Sequence, residues 1–282
     1  MADVTVADRP SATGASGGTV TYTQHRRLLK IDTVLGKDHV LLVSIQGEDR
    51  ISSFFSFDLE LASTDEHIKP DDILGTAATI SIHDVTGSDI PINGIVSRFA
   101  ILGRRAHGLF LYRARLVPSL WFLTRTSDCR IFQDKSVRDI VDQVLSDYCI
   151  SHKDWKLTGQ HDKHDYRVQY REAAYDFICR LLEEEGIFFY FRQDSNSHTV
   201  VFSDNNNGLV QCADAKVPLS TEAGVPGGVW RWEDTYRFRS GQWALTDYNF
   251  ETPSTDLKTE KKTVNQVRVT TASIWIPPIL RQ

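Results

Sequence analysis

The chain has 282 residues, of which 41% are hydrophobic and 24% are charged, and this balance is typical of a folded globular protein. Its formal net charge is -5, and Lys and Arg are spread along the chain without a basic block, which disfavours a primary role in nucleic-acid binding. No apolar run approaches the roughly 20 residues of a membrane-spanning helix, so we expect no stable membrane insertion.

The N-terminal segment is rich in Ala, Thr, Gly and Ser, and it contains Pro10 and the pair Gly17 and Gly18. Such a composition buries too little apolar surface to offset the entropy lost on ordering, so residues 1–24 are predicted to be a disordered polar tail. The segment lacks the apolar core of a secretory signal, and we therefore expect no export by the classical routes.

Residues 25–121 show the alternation of β-strands. The apolar side chains of Phe55, Phe57, Leu59 and Leu61 are separated by polar ones, which predicts a sheet with one buried and one solvated face. The same alternation recurs at Ile80 and Ile82, at Ile90 and Ile92, and at Phe110, Tyr112, Ala114 and Leu116. Short strands at this spacing, with turn signals between them, indicate an antiparallel barrel or sandwich.

Helical periodicity replaces this alternation within residues 122–203, which we predict to be an α+β insert. One helix is predicted from Ser136, its N-cap, with an apolar stripe at Val137, Ile140, Val141, Val144, Leu145 and Tyr148. A second is predicted over Ala173–Glu185, ended by Gly186 and burying Phe177, Ile178, Leu181 and Leu182. Residues 187–191 and 199–202 are predicted to pair as a hairpin.

Alternation returns in residues 204–282, where Trp230, Trp232, Tyr236 and Phe238 share one parity and residues 243–250 are predicted to form a partner strand. The predicted fold class is therefore β-rich α+β. Two antiparallel β-barrel-like modules, the second of them incomplete and with an atypical C-terminal tail, are separated by the insert.

Groups that could carry chemistry are few. His161 and His164 could bind zinc if they shared a helical face, but their surroundings favour a solvated loop. Glu183, Glu184 and Glu185 are successive on a helix and point in different directions, so a solvated helix end is favoured over an acid–base pair. Nucleotide-binding, zinc-protease and serine-hydrolase motifs are missing from the sequence. We predict no enzyme activity, no catalytic, cofactor-binding or metal-binding residues, and no cofactor.

Three further sets of residues have ordinary structural explanations. The aromatic row at 230–238 could stack sugars or bases, but alternating aromatic residues in a strand are more often core. Gly94 and Gly103 lie among predicted strands, where a close backbone approach or a turn accounts for them. The cysteines Cys129, Cys149, Cys179 and Cys212 fit no metal or redox spacing, and Cys149 and Cys179 are predicted to be small buried hydrophobes.

Several stretches carry a family resemblance. They are Asn93–Phe99, Tyr112–Leu123, Ser127–Val137, Val168–Glu172 followed by Asp176–Ile187, and Asn249–Pro253. In order and spacing these stretches resemble the N-terminal hub region of the VgrG family, the spike proteins of bacterial type VI secretion, which are similar to phage tail hubs.

The resemblance implies a phage-tail-hub-like fold and a homotrimer in which two similar barrels per chain build a pseudo-sixfold ring. Such a ring would match a hexameric tube protein, transmit the force of contraction to a cell-puncturing needle and hold effector cargo. It also implies a protein that resides in the bacterial cytoplasm before firing. The protein would then leave through the injection apparatus to the extracellular space or a target cell.

The sequence departs from the family pattern at two places. Family members continue into a needle, whereas residues 264–282 do not resemble that continuation, and we expect trimerisation to be weakened as a result. The residues before the second helix are Glu172, Ala173 and Ala174, where the family often has Glu-Ser-Asp, so a capping contribution is lost. The alternatives are a bacteriophage tail baseplate hub, an effector-associated cell-wall enzyme component and a carbohydrate-binding module.

Overall fold

The computed structural model describes residues 2–7, 12–13, 21–25, 27–83, 89–104, 108–210, 233 and 241–262. Within these ranges strands dominate, and the fold is β-rich α+β as predicted. None of the helices there has the length and apolar character to cross a membrane.

The largest element is a seven-stranded antiparallel sheet with the order β1-β5-β6-β9-β8-β7-β4. Its strands are β1 (Ala2–Ala7), β4 (Leu29–Thr33), β5 (Leu41–Asp49), β6 (Ser56–Ser63), β7 (Ala77–His83), β8 (Asp89–Arg104) and β9 (Phe110–Val117), while β2 (Ala12–Thr13) and β3 (Thr21–Tyr22) pair separately. In β6 the predicted alternation is confirmed, because Phe57, Leu59 and Leu61 are buried.

The sheet curls into a half-barrel. Bulges interrupt the pairing of β5 with β6 after Leu42 and that of β8 with β9 after Val96 and Ile101, and each bulge adds local twist. The strand β4, at one end of the sheet order, approaches β5 as a result. The concave side is apolar and includes Leu29, Ile45, Leu59, Ile80 and Tyr112.

The N-terminal segment differs from the predicted disordered tail. Residues Ala2–Ala7 form β1, which pairs antiparallel with β5 from Ala2 opposite Asp49 to Ala7 opposite Ser44. The physical reason is that Val4 and Val6 alternate with Asp3 and Thr5, a strand pattern hidden within a polar composition. The outer edge of β5 supplies the backbone partners that such a strand needs.

The insert contains two helices and two small sheets. Its elements are β10 (Ser127–Lys135), α1 (Val137–Asp147), β11 (Lys153–Lys156), β12 (His164–Ala173), α2 (Ala174–Glu184), β13 (Phe188–Gln193) and β14 (His198–Ser203). Both predicted helices and the hairpin are confirmed, with β13 antiparallel to β14. The strand β11 adds to β14 in parallel, and β10 pairs with β12 as a separate two-stranded ribbon.

One hydrophobic core joins the sheet to the insert. A single cluster of buried side chains runs from Leu29 and Tyr112 in the sheet through Leu123 to Phe177 in α2 and Phe202 in β14. The stripes predicted for the helices face this core, with Ile140 and Val144 of α1 among its members. The sheet and the insert therefore share their apolar burial.

The chain divides into two compact units, Met1–Pro218 with Gly224–Gly228, and Leu219–Ala223 with Val229–Gln282. In the second, β15 (Gln242–Leu245) pairs antiparallel with β16 (Thr259–Lys262). The predicted partner strand over residues 243–250 is thus shorter than expected. The aromatic row Trp230, Trp232, Tyr236 and Phe238 lies outside the described residues, and the module boundaries at 25–121, 122–203 and 204–282 stay predictions.

Candidate functional site

A buried polar junction connects the curled sheet to the insert. It is built from Asn93 in β8, Ser119 at the start of the 3-10 helix Ser119–Arg125, and His198, the first residue of β14. His198 Nδ1 lies 3.0 Å from Asn93 Oδ1, and the Ser119 backbone N–H donates to His198 Nε2 at 2.9 Å. Gln193 of β13 adds a further link, because its Oε1 accepts the Asn93 backbone N–H at 3.0 Å.

The hydrogen bonds of this junction determine the protonation state of His198. Nε2 accepts a backbone N–H, so Nδ1 carries the proton and donates to Asn93. Burial lowers the pKa of His198 to about 4, and the nearby charge of His152 acts in the same direction. The ring is therefore neutral at neutral pH, and every polar atom on it has a partner.

Aromatic rings enclose the junction. His198 meets Phe55 and Phe191 edge to face, with ring centroids 5.8 and 6.0 Å apart, and the two phenylalanines contact each other at 5.2 Å. Ser119 Oγ also lies 3.1 Å from His198 Nε2, which reproduces the connectivity of a hydrolytic serine–histidine–asparagine triad. In this structure, however, the lone pair of Nε2 already accepts a backbone N–H, and the ring is buried. The arrangement therefore fits a rigid connection between two elements.

A second polar group brings together residues from three elements. His161, in the loop before β12, lies between Glu185 at the end of α2 and Asp204 after β14, with Nδ1 2.7 Å from Glu185 Oε2 and Nε2 3.3 Å from Asp204 Oδ2. His164 Nε2 lies 3.0 Å from the other Glu185 oxygen. We call His161, His164, Glu185 and Asp204 the acid–histidine cluster.

The cluster corrects two predictions. His161 and Asp204 are nearly buried and Glu185 is partly buried, so neither the loop at 161–165 nor the helix end at 183–185 is simply solvated. The partners are distant in sequence, and periodicity within a segment carries no signal for them. Of the three successive glutamates, Glu184 pairs with Arg167 at 2.9 Å, while Glu185 pairs with His161 and His164. Throughout the described ranges, no three or more His, Cys, Asp or Glu side chains are arranged to hold a metal ion.

Opposite charges stabilise one another within the cluster. The hydrogen bond to Glu185 raises the pKa of His161 above 6.5, against the opposing effect of burial and with further help from Asp204. The Gly159 backbone N–H holds the pKa of Asp204 well below its usual range. Burial alone would raise the pKa of Glu185, but the hydrogen bonds from His161 and His164 lower it.

The ribbon of β10 and β12 exposes apolar side chains on one face. Ile131, Tyr166 and Tyr170 are 61%, 54% and 64% exposed, whereas Phe132 and Gln169 on the other face are buried. Cross-strand pairing places Ile131 opposite Val168, and Cys129 opposite Tyr170. Clustered exposed apolar residues mark candidate contact surfaces. The sequence carries a signal for this face in the alternation of β12, where Tyr166, Val168 and Tyr170 share one parity.

The cysteines occupy different environments. Cys149 is exposed and follows α1 in a left-handed conformation with φ 57°, so the prediction that it is buried is wrong. It lies just beyond the end of the helix, where the periodic stripe no longer faces the core. Cys179 is half-buried against the core, and burial raises the pKa of its thiol to about 11. Cys129 is exposed, and Cys212 lies outside the described residues.

Comparison with known proteins points to one group. The family model described as phage tail baseplate hub (GPD) matches residues 48–273. Type VI secretion system spike protein VgrG1c of Pseudomonas aeruginosa is 34% identical over 241 residues, which are 84% of this chain and 33% of that protein. VgrG1b of the same organism is 34% identical over 244 residues, 85% of this chain and 33% of that protein. This chain therefore spans about a third of the length of these relatives.

Solved structures share the fold. The E. coli c3393 protein, a component of the type VI secretion system with structural similarity to T4 bacteriophage tail proteins gp27 and gp5, aligns with a TM-score of 0.60 and 22% identity. The alignment covers 79% of this chain and 56% of that one. A chain of the half-lidded Francisella PdpA–VgrG complex aligns with a TM-score of 0.50 and 12% identity, over 84% of this chain and 41% of that chain.

Proposed function

Because this chain belongs to the VgrG family of type VI secretion spike proteins, we propose that its residues form the hub at the base of the spike. The observation that carries the proposal is the 34% identity to VgrG1c across 84% of the chain. The family match at 48–273 covers the strands β6 to β9 of the curled sheet together with the insert. The hub would couple a tube to a cell-puncturing needle.

The shared core and the buried junction support a mechanical role. Load passing between the sheet and the insert would be carried by close packing around Phe55 and by the hydrogen bonds that join His198 to Asn93 and Ser119. Fully paired buried polar groups resist displacement, because breaking one leaves an unsatisfied donor or acceptor. A rigid connection of this kind suits a part that transmits force.

The proposed partners are two further copies of the chain, a hexameric tube protein and effector cargo. The exposed face of Ile131, Tyr166 and Tyr170 offers apolar surface for a protein contact. The Francisella complex supports a cargo or accessory role by analogy, since its VgrG is bound to PdpA. Before firing the protein would lie in the bacterial cytoplasm, and it would leave through the injection apparatus.

We propose that these residues act without catalysis. The one serine–histidine–asparagine arrangement found in the described ranges is buried and serves the junction. A relative named actin cross-linking toxin VgrG1, from Vibrio cholerae, is 28% identical over 205 residues, which are only 18% of that protein. The region shared with this chain is thus a small part of a protein whose name denotes an activity.

The mass of the chain in solution tests the assembly. In sedimentation velocity across a concentration series, the expected result is a mass that rises from one chain toward three, because we expect the trimer to be weak. A mass that stays at one chain, or stops at two, at every concentration would contradict the homotrimer. A single stable trimer at micromolar concentration would refute the expected weakening of the trimer and would leave the homotrimer itself supported.

Binding to the tube protein separates the hub from the alternatives. The chain is mixed with purified rings of a type VI tube protein and, in parallel, with the tube protein of a contractile phage, and both mixtures are sedimented. Co-sedimentation with the type VI rings is expected, while binding only to the phage tube would favour a baseplate hub. Turnover of peptidoglycan by the purified chain would favour the cell-wall enzyme component.

A further inference from the structure

The loop between β11 and β12 is held by a carboxylate from another part of the chain. Asp204 Oδ2 accepts the backbone N–H groups of Thr158 and Gly159 at 2.9 and 2.6 Å. The Asp204 carboxylate is also the neighbour of His161 Nε2. The position of the loop therefore depends on the end of β14, more than 40 residues further along the chain.

The hydrogen-bond geometry distinguishes the two histidines of the cluster. Both ring nitrogens of His161 face carboxylate oxygens, and an ionised carboxylate only accepts, so both nitrogens must carry a proton. His164 differs, because only its Nε2 faces a carboxylate, Glu185 Oε1 at 3.0 Å, while the Arg167 guanidinium lies 3.3 and 3.5 Å from its two ring nitrogens. The geometry thus places an imidazolium at His161, the histidine whose two ring nitrogens both face carboxylates.

Charged groups approach His161 from every element around it. Glu185 comes from the end of α2 and Asp204 from the end of β14, while His164 from β12 shares the Glu185 carboxylate. Arg167 of β12 is directed to Glu184 and to the ring of His164. The positive charge of a protonated His161 thus offsets the repulsion between the carboxylates of Glu185 and Asp204.

We propose that His161 is a proton-dependent clamp that, when charged, ties the loop at 157–163 to the ends of α2 and β14 and, when neutral, releases that loop. A neutral ring leaves one lone pair pointing at a carboxylate, which converts an attraction into a repulsion. The start of the loop would then keep the bonds of Asp204 to Thr158 and Gly159 and that of Asn205 Nδ2 to Thr158 Oγ1, while the part around His161 would lose its attachment. This inference does not depend on the proposed hub function.

The direction of the pH effect follows from the raised pKa of His161. A histidine whose folded-state pKa lies above its unfolded value stabilises the fold fully at pH below the unfolded pKa, 6.5. That stabilisation is lost as the pH rises through the folded pKa. The clamp is therefore closed below pH 6.5 and opens as the pH rises through the raised pKa of His161.

The first test is an NMR titration of the imidazole C–H resonances of the whole chain, with His161 assigned from the missing signal in H161Q. The expected midpoint for His161 lies above 6.5, and D204N should lower that midpoint because it removes one of the two facing charges. D71N, at an exposed aspartate of the 3-10 helix Pro70–Asp72 between β6 and β7, is the matched control and should leave the midpoint unchanged. A midpoint at or below 6.5, or one insensitive to D204N, would overturn the clamp.

The second test follows the loop itself. Trypsin cleavage after Lys163 is measured from pH 6.5 to 9 relative to cleavage of a free peptide of the same sequence. We expect the relative cleavage of the wild-type chain to increase about tenfold as His161 loses its proton, and to be high at every pH in H161Q. H67Q, at an exposed histidine, should behave as wild type. A pH-independent wild-type cleavage, or protection that persists in H161Q, would show that the loop is not clamped.

Discussion

At the scale of single residues, two histidines of the same chain respond to pH in opposite directions. His198 is buried among rings and stays neutral, whereas His161 lies between two carboxylates and keeps its proton. The difference comes from the environment, since burial disfavours a charge that has no counter-ion and facing carboxylates favour it. The stability that His198 and His161 together contribute is therefore largest at a pH between their two folded-state pKa values.

The buried histidine predicts acid sensitivity. His198 has a folded-state pKa of about 4 against 6.5 when unfolded, so the unfolded chain binds more protons between these values and stability falls as the pH falls. The free energy of unfolding should drop by about 3 kcal/mol from pH 7 to 4 through this residue alone. Urea titrations of wild type and H198Q isolate the contribution of His198 to this drop, because the carboxylates titrate in both proteins.

The difference between those two proteins is the relevant quantity. H198Q should show a shallower pH slope than wild type over this range, while H67Q should keep the wild-type slope, since His67 is exposed. Equal slopes for H198Q and wild type would contradict the assignment of the acid sensitivity to the junction.

At the scale of elements, the two helices begin differently. Ser136 closes a capping box with Asp139 at the start of α1, donating and accepting bonds that satisfy the first turn. The helix α2 begins after Ala173, whose side chain offers no cap. As the sequence predicted, no side-chain capping hydrogen bond is present at the N-terminus of α2.

Capping predicts opposite effects of two substitutions. S136A should lower the free energy of unfolding by about 1 kcal/mol, and A173S should raise it by up to about 1 kcal/mol, because a Ser hydroxyl can accept a free N–H of the first turn. Denaturant midpoints at an unchanged m-value report both changes. A neutral or destabilising A173S would mean that the Ala173 backbone cannot present a hydroxyl to the helix.

Strand packing predicts that Gly94 tolerates no side chain. A Cβ there would lie 2.7 Å from Leu116 Cγ and 2.8 Å from the Val117 carbonyl oxygen, so the close approach inferred from the sequence is confirmed. G94A should destabilise the sheet by about 2 kcal/mol, because the neighbouring strand must shift. G241A, where no heavy atom lies within 4 Å, is the matched control and should change stability little in thermal unfolding. Equal effects of the two would contradict the steric argument.

At the scale of the molecule, the continuous core makes the sheet and the insert one folding unit. Phe55 is central, since its ring meets Phe57 on the sheet side and Phe191 and His198 on the insert side. Elements that share one core open together, so local loss of packing at this ring is expected to weaken both.

Because the sheet and the insert share one core around Phe55, F55A is predicted to affect both. The substitution should lower stability by about 4 kcal/mol through the cavity it leaves, and hydrogen exchange should accelerate equally for amides in β9 and in α2. F250A, at a ring 80% exposed in the other compact unit, should change neither. Acceleration confined to α2 would show that the insert unfolds independently of the sheet.

The sequence alone determined the elements whose patterns are local. Alternation predicted β6 and β9, the 3.6-residue stripe and Ser136 predicted α1, and Gly186 marked the end of α2. Ordered motifs such as Asn93–Phe99 also sufficed for the family. These signals are readable because each depends on neighbours within a few residues, where period and capping chemistry act directly.

Only the tertiary structure decided which distant residues meet. Nothing in the 161–165 segment indicates that His161 lies between Glu185 and Asp204, and nothing near Asn93 indicates His198, which is 105 residues away. The strand β1 also needed the free edge of β5 before its weak alternation could form a sheet. Such pairings arise from chain topology and shared burial, which a linear pattern does not encode.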